Sequence, residues 1–193
     1  MNHEPYIETY RYLSRLLNAD AEVLDVACGP GNISQFLIQE KPHLKVHGID
    51  LSPQMLNLAR TNNPSAVFEI KDCREISSLN KIYDAIVAGF CFPYLSRDEV
   101  EQFIASARAM LRTDGILYIS TMEDDYEKSG YQSKNKVDRV YIYYHQAKYL
   151  LEKLKSVGFE IIYVERKPFV LDEEFKAVDL FIYAKALNDT KKK

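Results

Sequence analysis

The chain alternates short apolar runs with amphipathic stretches along most of its length. Tyr6 to Asn18 carries Ile7, Tyr10, Leu13, Leu16 and Leu17 at helical spacing, which predicts an amphipathic helix. Glu22-Val23-Leu24-Asp25-Val26-Ala27 is an apolar run broken by Gly29-Pro30-Gly31, the pattern of a buried strand entering a tight turn. Ile33 to Glu40 predicts a second helix, stopped near Pro42, and Lys45 to Asp50 a second strand. Ser52-Pro53 supplies an N-cap and a proline at the first helical position, opening a helix over Pro53 to Arg60. Ala66 to Ile70 and Tyr83 to Gly89 read as the third and fourth strands. Ser96 and Glu99 form a capping box for a helix from Arg97 to Leu111, and Asp114-Gly115 turns the chain into a strand over Ile116 to Thr121. Met122 to Arg139 is polar, bears tyrosines and shows no clear period. Tyr144 to Val157 reads as a last helix with Gly158 as its stop, and Phe159 to Glu165 and Val178 to Ala186 as two closing strands.

This alternation predicts an α/β fold: a Rossmann-like, mostly parallel seven-stranded sheet with helices on both faces. The last two strands are joined by a loop through Pro168 and Asp172-Glu173-Glu174, with no helix between them, so they are expected to pair antiparallel. No repeat, low-complexity block or linker interrupts the 193 residues, and 1–193 reads as one domain. With 47% hydrophobic and 27% charged residues, global disorder is excluded. A formal charge of -3 and a pI of about 5.9 argue against a nucleic-acid partner, and Lys191-Lys192-Lys193 reads as a solvated tail. Cys28, Cys73 and Cys91 show no metal-ligand spacing, and no metal is expected. Met1-Asn2-His3-Glu4-Pro5 has no apolar core, and no apolar run approaches a membrane span. Free thiols fit a reducing compartment, so a cytoplasmic location is expected.

In an open parallel sheet, ligands sit beyond the carboxyl ends of the strands. Past the first strand, Gly29 and Gly31 let a ligand approach the backbone, and the next helix offers unpaired N–H groups for a phosphate or a carboxylate. Asp50 ends the second strand about twenty residues later, where an acid takes ribose hydroxyls. A dinucleotide turn requires a third glycine, but that position holds Ser34. Asp25 inside the first strand would repel a pyrophosphate and attract an ammonium. A ligand with an α-amino acid end and a nucleoside end satisfies both facts. A nucleotide-dependent oxidoreductase shares the glycine turn and Asp50, and Ser34 and Asp25 count against it.

Val23-Leu24-Asp25-Val26-Ala27-Cys28-Gly29-Pro30-Gly31-Asn32 resembles the first motif of class I S-adenosylmethionine (SAM)-dependent methyltransferases, and Gly48-Ile49-Asp50-Leu51-Ser52-Pro53-Gln54-Met55-Leu56 their second. Lys71-Asp72-Cys73, Tyr83-Asp84-Ala85-Ile86-Val87 and Leu111-Arg112-Thr113-Asp114-Gly115-Ile116-Leu117 are similar to three later motifs, in order and at normal spacing. The resemblance runs from about Val23 to Thr121 and returns at Gly158-Phe159-Glu160. It implies SAM as cofactor, S-adenosylhomocysteine as product, and roles for the matching positions. Asp25, Ala27, Gly29 and Gly31 would surround the methionine part. Asp50 would bind the ribose hydroxyls. Leu51 would lie against the adenine and Met55 would belong to the cofactor site, or both would be ordinary core residues. Asp72 would accept from the adenine amino group, and the backbone of Cys73 would donate to the ring. Ala88, Gly89 and Phe90 would lie near the amino-acid end.

The resemblance leaves the acceptor open. No Asn-Pro-Pro-Tyr element follows the fourth strand; the segment is Gly89-Phe90-Cys91-Phe92-Pro93-Tyr94, which with the acidic pI favours a small-molecule acceptor. The alternatives are a non-catalytic SAM-binding module and an RNA or protein methyltransferase. His145 is the general-base candidate by chemistry, with a surface or capping role as its competing reading. Tyr94, Tyr126 and Tyr131 are candidates to line the mouth, whereas Tyr141, Tyr143 and Tyr144 are expected to pack against the sheet. His3, His43 and His47 read as peripheral or structural, and the three cysteines as small apolar lining. The N-terminal helix within 1–20, bearing Tyr6 and Tyr10, is either a lid or pinned to the core. Residues 122–145 are expected to form a variable acceptor-side segment. The oligomeric state is left open.

Overall fold

The computed structural model describes residues 6–132, 139–170 and 176–188. His3, the Asp172-Glu173-Glu174 loop, the lysine tail and part of the 122–145 segment lie outside them. Helix α1 (Ile7–Leu16) is followed by β1 (Glu22–Val26), α2 (Asn32–Glu40), β2 (Lys45–Asp50), α3 (Pro53–Asn62) and β3 (Val67–Ile70). A 3₁₀ segment over Cys73–Leu79 leads to β4 (Tyr83–Gly89), and a shorter one over Phe92–Tyr94 leads to α4 (Arg97–Met110). Then come β5 (Leu111–Glu123), the short ribbon β6 (Gly130–Gln132) and β7 (Val140–Ile142), α5 (Ala147–Ser156), β8 (Phe159–Val170) and β9 (Lys176–Ala186).

Seven strands form one sheet in the order β3-β2-β1-β4-β5-β9-β8. The first five pair in parallel, and β9 pairs antiparallel with both β5 and β8. Because β1 leads through α2 to β2 on one side and lies beside β4 on the other, the chain reverses its winding between β1 and β4. That switch point places a crevice at the carboxyl ends of these two strands.

Alternation along β1 builds the two layers. Leu24 and Val26 face α4 and α5 with Ile86, Ala88, Leu117 and Ile119, against Phe103, Ala107, Leu150 and Leu154. Val23 faces α1 and α2 with Val46, Val87, Tyr118 and Tyr183, against Tyr10, Leu13 and Leu37. Asp25 shares the phase of Val23 and is therefore sent into the α1–α2 layer. The capping box at Ser96 and Glu99 and the Ser52 cap with Pro53 form as expected.

Three elements depart from the expectation. Strand β8 continues through Pro168 to Val170; it is the sheet's edge, where a residue without an N–H costs no ladder bond. The aperiodic stretch after Met122 contains a 3₁₀ turn over Tyr126–Lys128 and the separate β6–β7 ribbon, whose three-residue strands are too short to show a period. Helix α5 starts at Ala147, later than Tyr144, because the chain before it is extended and buries His145. Among the described residues, no helix is long and apolar enough to cross a membrane.

Gly48 sits in β2 where a Cβ would lie 2.4 Å from the Phe68 ring and 3.1 Å from Cys28 Sγ. Gly48→Ala is expected to cost about 1–3 kcal/mol through overpacking. The urea midpoint of the variant checks this; an unchanged midpoint would show that the ring moves aside freely.

Candidate active site

The carboxyl ends of β1 and β4 both finish in left-handed backbone. Gly29 (φ 55°) and Gly31 (φ 77°) adopt it without penalty, and a Cβ at Gly31 would stand 2.5 Å from Asn63 Nδ2. Ala27 (φ 53°) and Phe90 (φ 51°) adopt it despite their side chains. Such residues cost about 1–3 kcal/mol each and cluster where a site demands the geometry. Phe90 is held by its N–H, which donates to Ser120 O and Ser120 Oγ, both at 3.0 Å. The resemblance to the family marks Ala27 and Phe90 as site positions, but nothing in the residue pattern announces their left-handed backbone.

A cavity of about 170 Å³ opens between these strand ends, lined by Tyr6, Tyr10, Asp25, Ala27, Gly29, Gly89 and Phe90 among others. Asp25 is 2% exposed, and its Oδ2 accepts from Ser34 Oγ at 2.6 Å. Burial pushes its carboxyl up to about 6, against the pull of Ser34, and the nearby Asp50 charge adds to the rise. Ser34 thus has a positive reason to stand where a dinucleotide turn carries glycine: among the described residues it supplies the one hydroxyl bonded to this carboxylate.

Asp50 joins two loops. Its Oδ2 accepts from Gly29 N at 2.9 Å and its Oδ1 from Ser52 N at 2.8 Å. A carboxylate offers about four lone-pair sites, so capacity for hydroxyl donors remains. Leu51 and Met55 are 58% and 41% exposed, which overturns their core reading and leaves them free to cover a flat ring. Asp72 is not a free acceptor: Arg74 N donates to Oδ1 at 2.9 Å and Arg74 Nη1 to Oδ2 at 2.8 Å, while Arg74 Nε also reaches Glu99 at 2.7 Å. Burial raises the Asp72 carboxyl, but the Arg74 contacts outweigh it and hold the group below its usual range. The cysteines divide. Cys28 lines the cavity, whereas Cys73 and Cys91 interact with each other on the α4–α5 side. Ala88 is fully buried and packs into that same side.

The acceptor candidates separate. His145 is 1% exposed, and its Nε2 lies 3.1 Å from Phe92 O and 3.0 Å from Leu95 O, so it ties the start of α5 to the loop after β4. Burial lowers its pKa despite those carbonyls, and its Nδ1 has no partner among the described residues. This position removes the surface reading. Tyr126 lies under the Arg97 guanidinium at 4.2 Å and stacks on Tyr143, whereas Tyr94 and Tyr131 are exposed. Tyr141 and Tyr143 pack on each other, with Tyr131 and Tyr126 alongside; Tyr131 and Tyr141 belong to the β6–β7 ribbon, which is a sheet separate from the main one. Tyr144 joins the same ribbon through Gln132. His47 bonds Tyr83 at 2.7 Å inside the fold, and His43 is exposed. Sequence reasoning missed Asp179, which is 4% exposed on β9 and accepts from Tyr6 Oη at 2.6 Å. Its only sequence signal is an acid in an otherwise apolar strand.

Among the described residues, no group of three His, Cys, Asp or Glu side chains is placed to hold a metal. A methyltransferase-domain family profile matches residues 23–115. A trans-aconitate 2-methyltransferase of Variovorax paradoxus is 35% identical over 108 residues, 56% of this chain and 40% of that protein. A demethylmenaquinone methyltransferase of Thermotoga maritima is 29% identical over 110 residues, 56% of this chain and 47% of that protein. The chain spans about half or less of the length of such curated relatives. A crystal structure of a SAM-dependent methyltransferase from Methanosarcina mazei has the same fold, with a TM-score of 0.78 at 22% identity, covering 92% of this chain and 98% of that one.

The folded protein holds the Asp25 proton more tightly than an unfolded chain with an ordinary value of 3.8, so the carboxyl contributes stability in full below that value. The contribution is lost as pH rises through about 6. Relative to Asp25→Asn, the parent is expected to lose about 2–3 kcal/mol between about pH 4 and pH 7.5. Urea unfolding of both proteins across this window checks it; parallel curves would show that Asp25 does not titrate there.

Proposed function

Because the chain belongs to the class I SAM-dependent methyltransferase family, we propose that it transfers a methyl group from SAM to a small-molecule acceptor in the cytoplasm. The observation that carries the reading is a buried carboxylate facing a cavity at the sheet's switch point, with a second carboxylate on the adjoining turn. An Asp so buried favours a cationic partner, because a positive charge nearby offsets the desolvation of the ionised form.

Asp25 would hold the ammonium of the cofactor, with Ser34 keeping the carboxylate turned to it. The Gly29 and Gly31 backbone would pass along the methionine part, with Ala27 and Gly89 beneath it. Asp50 would take the ribose hydroxyls on its remaining lone pairs, and Leu51 and Met55 would flank the adenine. Asp72, shared with Arg74, would keep its lesser role toward the adenine amino group, with the Cys73 N–H beside it. When bound, SAM supplies a methyl on positively charged sulfur, which an acceptor lone pair takes as the carbon–sulfur bond breaks with its pair left on sulfur. The chain's part is to align and desolvate the reactants. Tyr6 and Tyr10 on the N-terminal segment line the cavity, and the described residues of 122–145 would shape the acceptor side. Trans-aconitate and demethylmenaquinone, the substrates named for two relatives, support the small-molecule class.

S-adenosylhomocysteine is expected to bind in calorimetry, and Asp50→Asn to weaken it about tenfold or more, or about 1.4 kcal/mol. No binding to the parent protein would reject the reading; full affinity in the variant would reject the ribose role.

A further inference from the structure

Resting on the methyl-transfer reading above, we infer that the acceptor is an amine, met at the cavity by the Tyr6 phenol oxygen, with Asp179 as the positioning residue behind it. Tyr6 lines the cavity beside Gly89 and Phe90, and its ring is fixed by Phe90 at 5.6 Å and Phe181 at 5.7 Å. Its hydroxyl donates to Asp179 Oδ2 at 2.6 Å. An ionised carboxylate only accepts hydrogen bonds, so the single phenolic proton is committed to Asp179. What the oxygen has left is lone pairs. Those accept from an N–H and offer nothing to a carboxylate.

The charges point the same way. Tyr10 stands within the field of both Asp25 and Asp179, and both carboxylates push its phenol up in addition to the effect of burial. Asp25 lines the cavity, and Asp179 stands behind its wall, bonded to the lining residue Tyr6. Asp25 has the cofactor's ammonium as its counterpart in the proposed function; Asp179 has only Tyr6 among the described residues. Lys167, opposite Asp179 across β8 and β9, turns its ammonium to Glu165 at 3.4 Å. An anionic acceptor would meet like charge with little water between. A nitrogen that gains a methyl group becomes cationic, and a fixed negative group nearby favours that charge. The proton such a nitrogen later sheds goes to solvent.

The test uses the whole chain saturated with S-adenosylhomocysteine. Phenethylamine and phenylacetate, similar in shape and opposite in charge, are titrated by calorimetry at about neutral pH. The amine is expected to bind at least about tenfold tighter. Asp179→Asn, which keeps an acceptor for the Tyr6 hydroxyl, is expected to cut that preference below about threefold while S-adenosylhomocysteine affinity stays within about threefold, which also shows the variant is folded. Tyr6→Phe is expected to lose the preference as well. Equal binding of the two probes, tighter binding of the carboxylate, no binding of either, or a preference that survives Asp179→Asn overturns the inference. A parent protein that fails to bind S-adenosylhomocysteine at all overturns the methyl-transfer reading instead.

Discussion

A carboxylate in the interior of a strand is the constraint around which this molecule is arranged. Asp25 lies between two apolar neighbours in β1, and the strand's alternation sends it into the α1–α2 layer with almost no contact with water. Leaving it there unaided would push its proton uptake to still higher pH. One hydroxyl, Ser34 Oγ, is delivered by the first turns of α2, and that delivery requires α2 to begin immediately after Gly31. The left-handed residues at Ala27, Gly29 and Gly31 are the means by which the chain reverses so abruptly. Local backbone strain and a buried charge are thus two consequences of one design. A core built only for stability would place an apolar residue at position 25 and gain from it.

The second carboxylate works by a different route. Asp50 is half-exposed, and its two oxygens accept from backbone N–H groups of both the glycine turn and the turn that opens α3. It fastens two loops from successive βα units to one another before any ligand arrives. A site held in this way loses less freedom on binding than one assembled by the ligand. The same bonds consume part of the acceptor capacity that a ribose would use, so the hydroxyls have to approach along the lone pairs that remain. Asp72 follows a similar pattern, with Arg74 as the competing partner.

The order of strands and helices was legible because each element declares itself locally: apolar runs for β1 to β5, a capping box for α4, a capped proline for α3. The glycine turn and Asp50 were legible for the same reason, since their spacing is short. Partners far apart in the chain were not. Tyr6 and Asp179 are separated by 173 positions, and no local signal links them. Ser34 read as a missing glycine, because its function lies in a contact across a turn. The β6–β7 ribbon escaped since three residues cannot show a period of two, and Pro168 read as a loop because its tolerance depends on β8 being an edge, a property of the whole sheet. His145 posed the opposite problem: its chemistry suggested a base, while burial and two backbone carbonyls make it a structural tie.

That last contrast bears on how such a site works. A histidine able to shuttle protons needs an exposed nitrogen, and His145 has none: Nε2 is spent on carbonyls and Nδ1 is sealed from water. The ionisable groups lining the cavity among the described residues are Asp25, Cys28, Tyr6 and Tyr10, with Asp179 bonded behind Tyr6, and burial drives each of them toward holding its proton. Groups in that state are poor at removing protons on demand. They are well suited to the opposite task, which is to favour positive charge brought in from outside, because each would ionise or polarise more readily beside a cation. A cofactor carrying an ammonium and a sulfonium supplies such charge. Under the proposed function the site would therefore act through a pre-set electrostatic environment, and no histidine is among the described residues that line the cavity.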